Sequence, residues 1–271
     1  MTRRCAIALL LIALGGPAAL GRAFEVKLLS GKEESGVWGT DEYQVRVDKY
    51  GTVRNVKLHG LEIMTQAARL YTRPVPAGGG RAPRTVQGEG IGKRGLSIKP
   101  PTWETSVVRG KRVFRVHHEI AKPSVFDGVT LCHVDSAVTL TATGEITMVY
   151  DCRWVHTCRW HGFSVLLLFT EQAAREREYM GIQGERIHAG RFMPSKDPIA
   201  ARVRASFDQL TIQTPQGPVH LMWDGPHKHT LGWAKHIQLT ASPPCVPYRG
   251  KVHRGTTGRI AYRILLPVSQ Q

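Results

Sequence analysis

The feature that most constrains this chain is a period of two. From residue 146 to 160 the even positions are Ile146, Met148, Tyr150, Cys152, Trp154, His156, Cys158 and Trp160. The odd positions are Thr147, Val149, Asp151, Arg153, Val155, Thr157 and Arg159. Side chains alternate across a strand, so one face is apolar and aromatic and the other polar. A helix cannot segregate such a pattern. The stretch reads as a single half-buried strand. Cys152 and Cys158 would then lie roughly 20 Å apart, at about 3.3 Å per residue, too far to bridge or share a metal.

The same rhythm recurs with glycine turns between runs. Tyr43 to Val47 and Thr52 to Leu58 flank Lys49-Tyr50-Gly51, and Thr105 to Val108 and Arg112 to Ile120 flank Arg109-Gly110. "VDSAVTLTATGEITMVYDCRW" turns near Gly144, "FDQLTIQTPQGPVHLMWDG" turns at Pro215-Gln216-Gly217, and "GRIAYRILLP" is a closing strand. Regular short strands with turn residues between them predict an all-β sandwich or barrel. One helix is expected, Glu171 to Tyr179, capped by Thr170 and carrying a Glu171–Arg175 pair four residues apart; it reads as a crossover between strands. Residues 72–95 are rich in Gly, Pro and Arg and read as a long loop within one domain spanning 24–271. Gly90, Gly92 and Gly95 have dinucleotide-loop spacing, but "LSIKPP" follows where a helix is required.

Arg3 and Arg4 precede an apolar run from Cys5 to Leu14, with small residues near Ala23. This is the pattern of a cleavable export signal over residues 1–23, and no later stretch is apolar enough to span a bilayer as a helix. The expected location is periplasmic or extracellular. Loss of residues 1–23 removes three arginines, leaving 34 basic against 21 acidic residues, a net charge of +13. That charge favours anionic partners, although no basic run interleaved with aromatics marks a specific nucleic-acid site. Four cysteines remain, Cys132, Cys152, Cys158 and Cys245, and an exported chain permits their pairing. A three-residue loop at Ala142-Thr143-Gly144 sets Cys132 opposite Trp154 and diagonal to Cys152, about 7 Å away. A register shift of two would join the sulfurs, making Cys132–Cys152 the disulfide candidate.

The same register sets Asp135 against Asp151 and His133 against Arg153 on the polar face. Facing carboxylates repel unless something uses them: Arg153, Arg159, a cation or a ligand hydroxyl. A second group, "WDGPHKHTLGWAKH", reads as a loop and collects Trp223, Asp224, His227, His229, Trp233 and His236. The indoles could stack on a sugar ring. His227 and His229 lie two apart, as chelating residues on one strand face would. His117 and His118, being adjacent, point to opposite faces and cannot act together. No G-x-S-x-G segment supports nucleophilic catalysis, and neither a cofactor nor a resident metal is assigned.

"YQVRVDKYGTVRNVKLHGLEIM", "AVTLTATGEITMVYDCRW", "QLTIQTPQGPVHLMWDG" and "VHRGTTGRIAYRILLP" together resemble the strand pairs of galactose mutarotase-like supersandwich domains, over most of residues 40–267. The resemblance implies a large two-sheet antiparallel β-sandwich with a sugar-facing concave sheet. It does not carry the mutarotase chemistry. The "H-x-Y-[FW]-N" segment of those enzymes is missing, Asn55 is the sole asparagine, and no acid follows Asp224 where a late catalytic Glu is expected. The expectation is therefore an exported carbohydrate-recognition protein, suited by its charge to acidic polysaccharides, with Asp135, Asp151, Arg153, Trp223, Asp224 and Trp233 as ligand contacts. The alternatives are a polysaccharide lyase or sugar epimerase using His227, His229 or His236 as base, and a structural envelope protein with no small ligand.

Overall fold

The computed structural model describes residues 25–68, 70–74, 85–86, 97–98, 101–121, 129–193, 203–205, 207–224, 228–233, 237–242 and 250–268. Two antiparallel sheets, one of ten strands and one of twelve, pack face to face. The chain is an all-β, two-sheet antiparallel sandwich, with one single-turn α-helix among the described residues.

The centre of the ten-stranded sheet carries the site. Its strands run, in spatial order, Gly217–Trp223, Thr257–Leu265, Glu145–Trp154, Thr130–Leu140 and Lys111–Ala121, with Thr102–Val108 paired to the last. Period two decides which side each residue meets. Phe114, Val116 and Ile120, then Cys132, Val134 and Val138, then Ile146, Met148, Tyr150 and Trp154 are buried between the sheets. Their odd or even neighbours face outward. At roughly 1.5–3 kcal/mol per buried large apolar side chain, this one-sided pattern fixes the register, because a slip of one residue would exchange the faces.

Turn chemistry agrees. The Arg109-Gly110 turn has both residues at positive φ, 50° and 73°, the two-residue geometry that matches strand twist. At the 142–144 turn the pairing is the expected one, Cys132 with Trp154 and Asp135 with Asp151.

Three expectations need correction. The 146–160 run is not one strand. It breaks at residues 155–157: Glu145–Trp154 stays in the ten-stranded sheet, and Cys158–Phe169 begins in the twelve-stranded one, where Cys158 pairs with Val252. Val155 N–H donates to Leu131 O, and Trp154 N–H to Thr256 O, which closes the corner. The 20 Å separation argument for Cys152 and Cys158 therefore falls. Second, Cys132 and Cys152 are not bridged. The register holds at the diagonal pairing, Cys152 facing Val134, and the shift of two is not made. Third, the helix ends at Ala174, not Tyr179. Thr170 Oγ1 caps Ala173 N–H as expected, and Glu171 pairs with Arg175 at 3.0 Å. Glu176 then turns to φ 57° and its N–H bonds Phe192 O, committing the chain to the Glu178–Gln183 strand.

Of the long 72–95 loop, Leu70–Pro74 and Thr85–Val86 pair with each other at the twelve-stranded sheet; its other residues, and the export segment 1–23, lie outside the described residues. No helix among the described residues is long and apolar enough to cross a membrane.

Candidate functional site

The outer face of the ten-stranded sheet carries a transverse row of polar side chains at one register level. His117 faces Asp135, Asp135 faces Asp151, and Asp151 faces Arg259. Thr102, on the outer strand, faces His117. Cross-strand neighbours stand about 5 Å apart, so five strands bring these groups side by side. A cavity of about 460 Å³ opens over the row, lined by Thr102, Glu104, Arg115, His117, Asp135 and Asp151 among others.

The facing aspartates are each held by a cationic or basic partner. His117 Nδ1 lies 2.7 Å from Asp135 Oδ1. Arg259 Nη1 donates to both Asp151 oxygens at 3.0 Å. The partner of Asp151 is thus neither Arg153 nor Arg159, the arginines considered from sequence, but one 108 residues away on the closing strand. Arg115 pairs with Glu104 at 3.5 Å. These pairs are open to water: the Asp135 side chain is 71% exposed and Asp151 48%. Exposed ion pairs contribute only about 0–1 kcal/mol, so a ligand hydroxyl or charged group can displace one partner at little cost.

One register step along lies a second group. Glu119 faces His133, and His133 faces Arg153. Glu119 and His117 sit two apart on one strand and so share the outer face. The His117 and His133 rings stack with centroids 5.4 Å apart and planes 27° apart. Ligand atoms from His117, Glu119 and His133 all lie within 4.8 Å of one another. Thr130 Oγ1 donates to Glu119 Oε2 at 2.7 Å. The sequence reading assigned no metal ligands here. The sequence signal is His117-x-Glu119 on one strand and His133-x-Asp135 on another, and only the pairing of those strands joins them.

The other sequence candidates are scattered. Arg153 is exposed on the same face. Trp223 is not a surface platform: it is 6% exposed and packs in the core. Its parity with Val219 and Leu221 already places it inward, opposite Tyr262. Asp224 is exposed, with its N–H bonded to Ala261 O at 3.0 Å. The 223–236 segment is not simply a loop: Lys228–Trp233 is a strand of the twelve-stranded sheet, in which His229 pairs with Ala241 and Trp233 with Ile237. His227 and His236 lie outside the described residues. As expected, His117 and His118 part company: His118 is 1% exposed, on the inner face.

Two large antiparallel sheets of this order define a supersandwich. The fold is similar to the galactose-mutarotase-like β-sandwich, as comparison with solved structures shows. Galactose 1-epimerase from Lactobacillus acidophilus NCFM superposes with a TM-score of 0.52 at 8% identity, over 89% of this chain and 97% of that one. A galactose mutarotase-like protein from Clostridium acetobutylicum gives 0.50 at 8% identity, over 88% and 97%. An α-mannosidase from Enterococcus faecalis V583 gives 0.56 at 8% identity, over 90% of this chain but 30% of that one. At such identities the likeness is one of fold. No protein-family model and no curated protein matches the sequence.

Proposed function

We propose that the chain is an exported carbohydrate-acting enzyme whose substrate lies on the outer face of the ten-stranded sheet. The observation that carries this reading is the His117–Asp135–Asp151 row lining the cavity, with Arg259 bonded to its far end. Carboxylates accept hydrogen bonds from vicinal hydroxyls, and Arg115 and Arg259 can compensate a uronate or sulfate. His117 lines the cavity and turns its imidazole toward the occupant's side of the sheet. The fold shared with a galactose 1-epimerase supports a sugar as the occupant. Export rests on Arg3, Arg4 and the apolar run behind them.

A second reading, recognition without turnover, is favoured by the pairing of both aspartates with basic partners, which keeps them as acceptors. One experiment separates the two. The full chain is incubated with aldoses and with neutral and acidic polysaccharides, and retention, anomeric exchange and released product are measured together. Turnover that is lost in His117→Gln, with retention kept, supports the enzyme. Salt-resistant retention without product makes it a binding protein. Neither signal returns the bet to a structural envelope role. In either sugar-binding case Asp151→Asn is expected to weaken retention by roughly 10-fold, the loss of one charge-assisted contact of about 1.5 kcal/mol.

A further inference from the structure

We propose that His117, Glu119 and His133 form a binding site for one divalent first-row transition-metal ion, zinc by ligand chemistry, at the end of the cavity floor. Two imidazoles and a carboxylate are a borderline-soft donor set that suits zinc and disfavours magnesium or calcium. Their ligand atoms already lie within 4.8 Å of one another. Coordination at about 2.1 Å requires separations of about 3.4 Å, a closure within reach of side-chain torsions.

The surroundings of each ligand fit. Asp135 Oδ1 sits 2.7 Å from His117 Nδ1. When Nδ1 donates to that carboxylate, Nε2 is left as a lone-pair donor. This is the carboxylate–histidine arrangement that orients metal-binding imidazoles and raises their basicity. Thr130 holds the Glu119 carboxylate through Oε2. His133 Nδ1 is shielded from solvent and has no hydrogen-bond partner among the described residues, a cost that a bonded ion would remove. Three protein ligands leave at least one position open. Arg153 stands opposite His133 on the same face, a cation that can hold an anionic substituent near the ion. The ion would thus polarise a sugar oxygen or carboxylate as a Lewis acid.

The site goes beyond the sugar reading, because metal binding can be measured with no carbohydrate present. The untagged full chain is stripped with chelator and titrated with Zn²⁺ by calorimetry and with Co²⁺ by visible absorption. The expected result is one ion per chain and a cobalt spectrum of a four- or five-coordinate nitrogen and oxygen site without thiolate charge transfer. His133→Gln and Glu119→Gln are expected to lower affinity more than 10-fold and to abolish the metal-induced rise in Tm. Asp135→Asn, which keeps the three ligands, is expected to lose about 10–100-fold through the orientation of His117. Arg153→Gln, by removing a neighbouring cation, is expected to tighten binding. No one-to-one binding by the wild-type chain below about 100 μM metal, a free energy weaker than about −5.5 kcal/mol, overturns the proposal. So does binding that survives His133→Gln in a chain whose unliganded Tm is unchanged, or a thiolate-ligated cobalt spectrum. Sugar retention by Asp151→Asn is read separately, so failure of the metal site and failure of the sugar reading are distinguishable.

Discussion

His118 shows what the inner face demands of a polar residue. Only 1% of it is exposed, and Nε2–H donates to Tyr50 O at 3.1 Å. Burial pulls its pKa down to about 4 from 6.5. The folded state therefore resists protonation that the unfolded state accepts. The contribution is fully present above pH 6.5, is lost as pH falls towards 4, and levels off below that. A difference of this size is worth at most ~3 kcal/mol. Urea unfolding at pH 7, 5.5 and 4 should show this loss in the wild-type chain and a flatter slope in His118→Gln; equal slopes would remove His118 as the cause. Cys132 offers a second check. It is 0% exposed and burial pushes its thiol well above the ordinary range. Alkylation of Cys132 should require unfolding, and peptide mapping should find no Cys132–Cys152 crosslink.

The 130–154 hairpin is where sequence and structure agree most closely. Three residues inside the Thr141–Glu145 backbone bond, a glycine in the left-handed region and unbroken alternation are enough to place Asp135 against Asp151. Gly144 has φ 77°, and a Cβ there would lie 2.5 Å from Val268 Cγ2. Gly144→Ala is expected to destabilise by about 1–3 kcal/mol, through backbone strain and the clash with a side chain that must move. The measurement is the urea midpoint at constant slope. An unchanged midpoint would mean that the turn does not govern the register. Local pattern failed where two elements with the same alternation abut. In the sequence the apolar–polar alternation runs on through the corner at 155–157, and no glycine or proline marks the switch of sheets, although His156 is exposed there. The helix failed differently. Its cap and its i,i+4 pair are real, but the pairing of Glu178–Gln183 with Arg186–Arg191 outweighed the propensity of the segment beyond Ala174.

Tyrosine hydroxyls tie the two sheets of the molecule together. Tyr262, on the closing strand, donates to Ala67 O of the other sheet at 2.8 Å. Tyr43 donates to Thr141 O, beside the 142–144 turn, at 2.6 Å. Both are buried, and burial raises both phenol pKa values. Tyr262→Phe and Tyr43→Phe should each cost about 1–2 kcal/mol, since each removes a buried hydrogen bond between the sheets, with the Tyr43 loss the smaller because Gly144 N–H still reaches Thr141 O. The two losses should add, because the bonds share no partner; strong non-additivity would indicate that the sheets shift as a unit. Contacts of this range, 195 and 98 residues apart, leave no local trace in sequence. The same is true of Arg259 with Asp151, which is why half of the polar row could be read in advance and half could not.

That row is completed only when the closing strand has joined the sheet. His117, Asp135 and Asp151 lie on three consecutive strands, but Arg259 comes from a strand 108 residues beyond Asp151, so the row is complete only in the folded sheet. An occupant of this face therefore recognises the native state alone, and its free energy of binding is added in full to that of folding. A shift of the melting curve on mixing is then both an assay for ligands and a gauge of how far the fold depends on an occupant to stay intact.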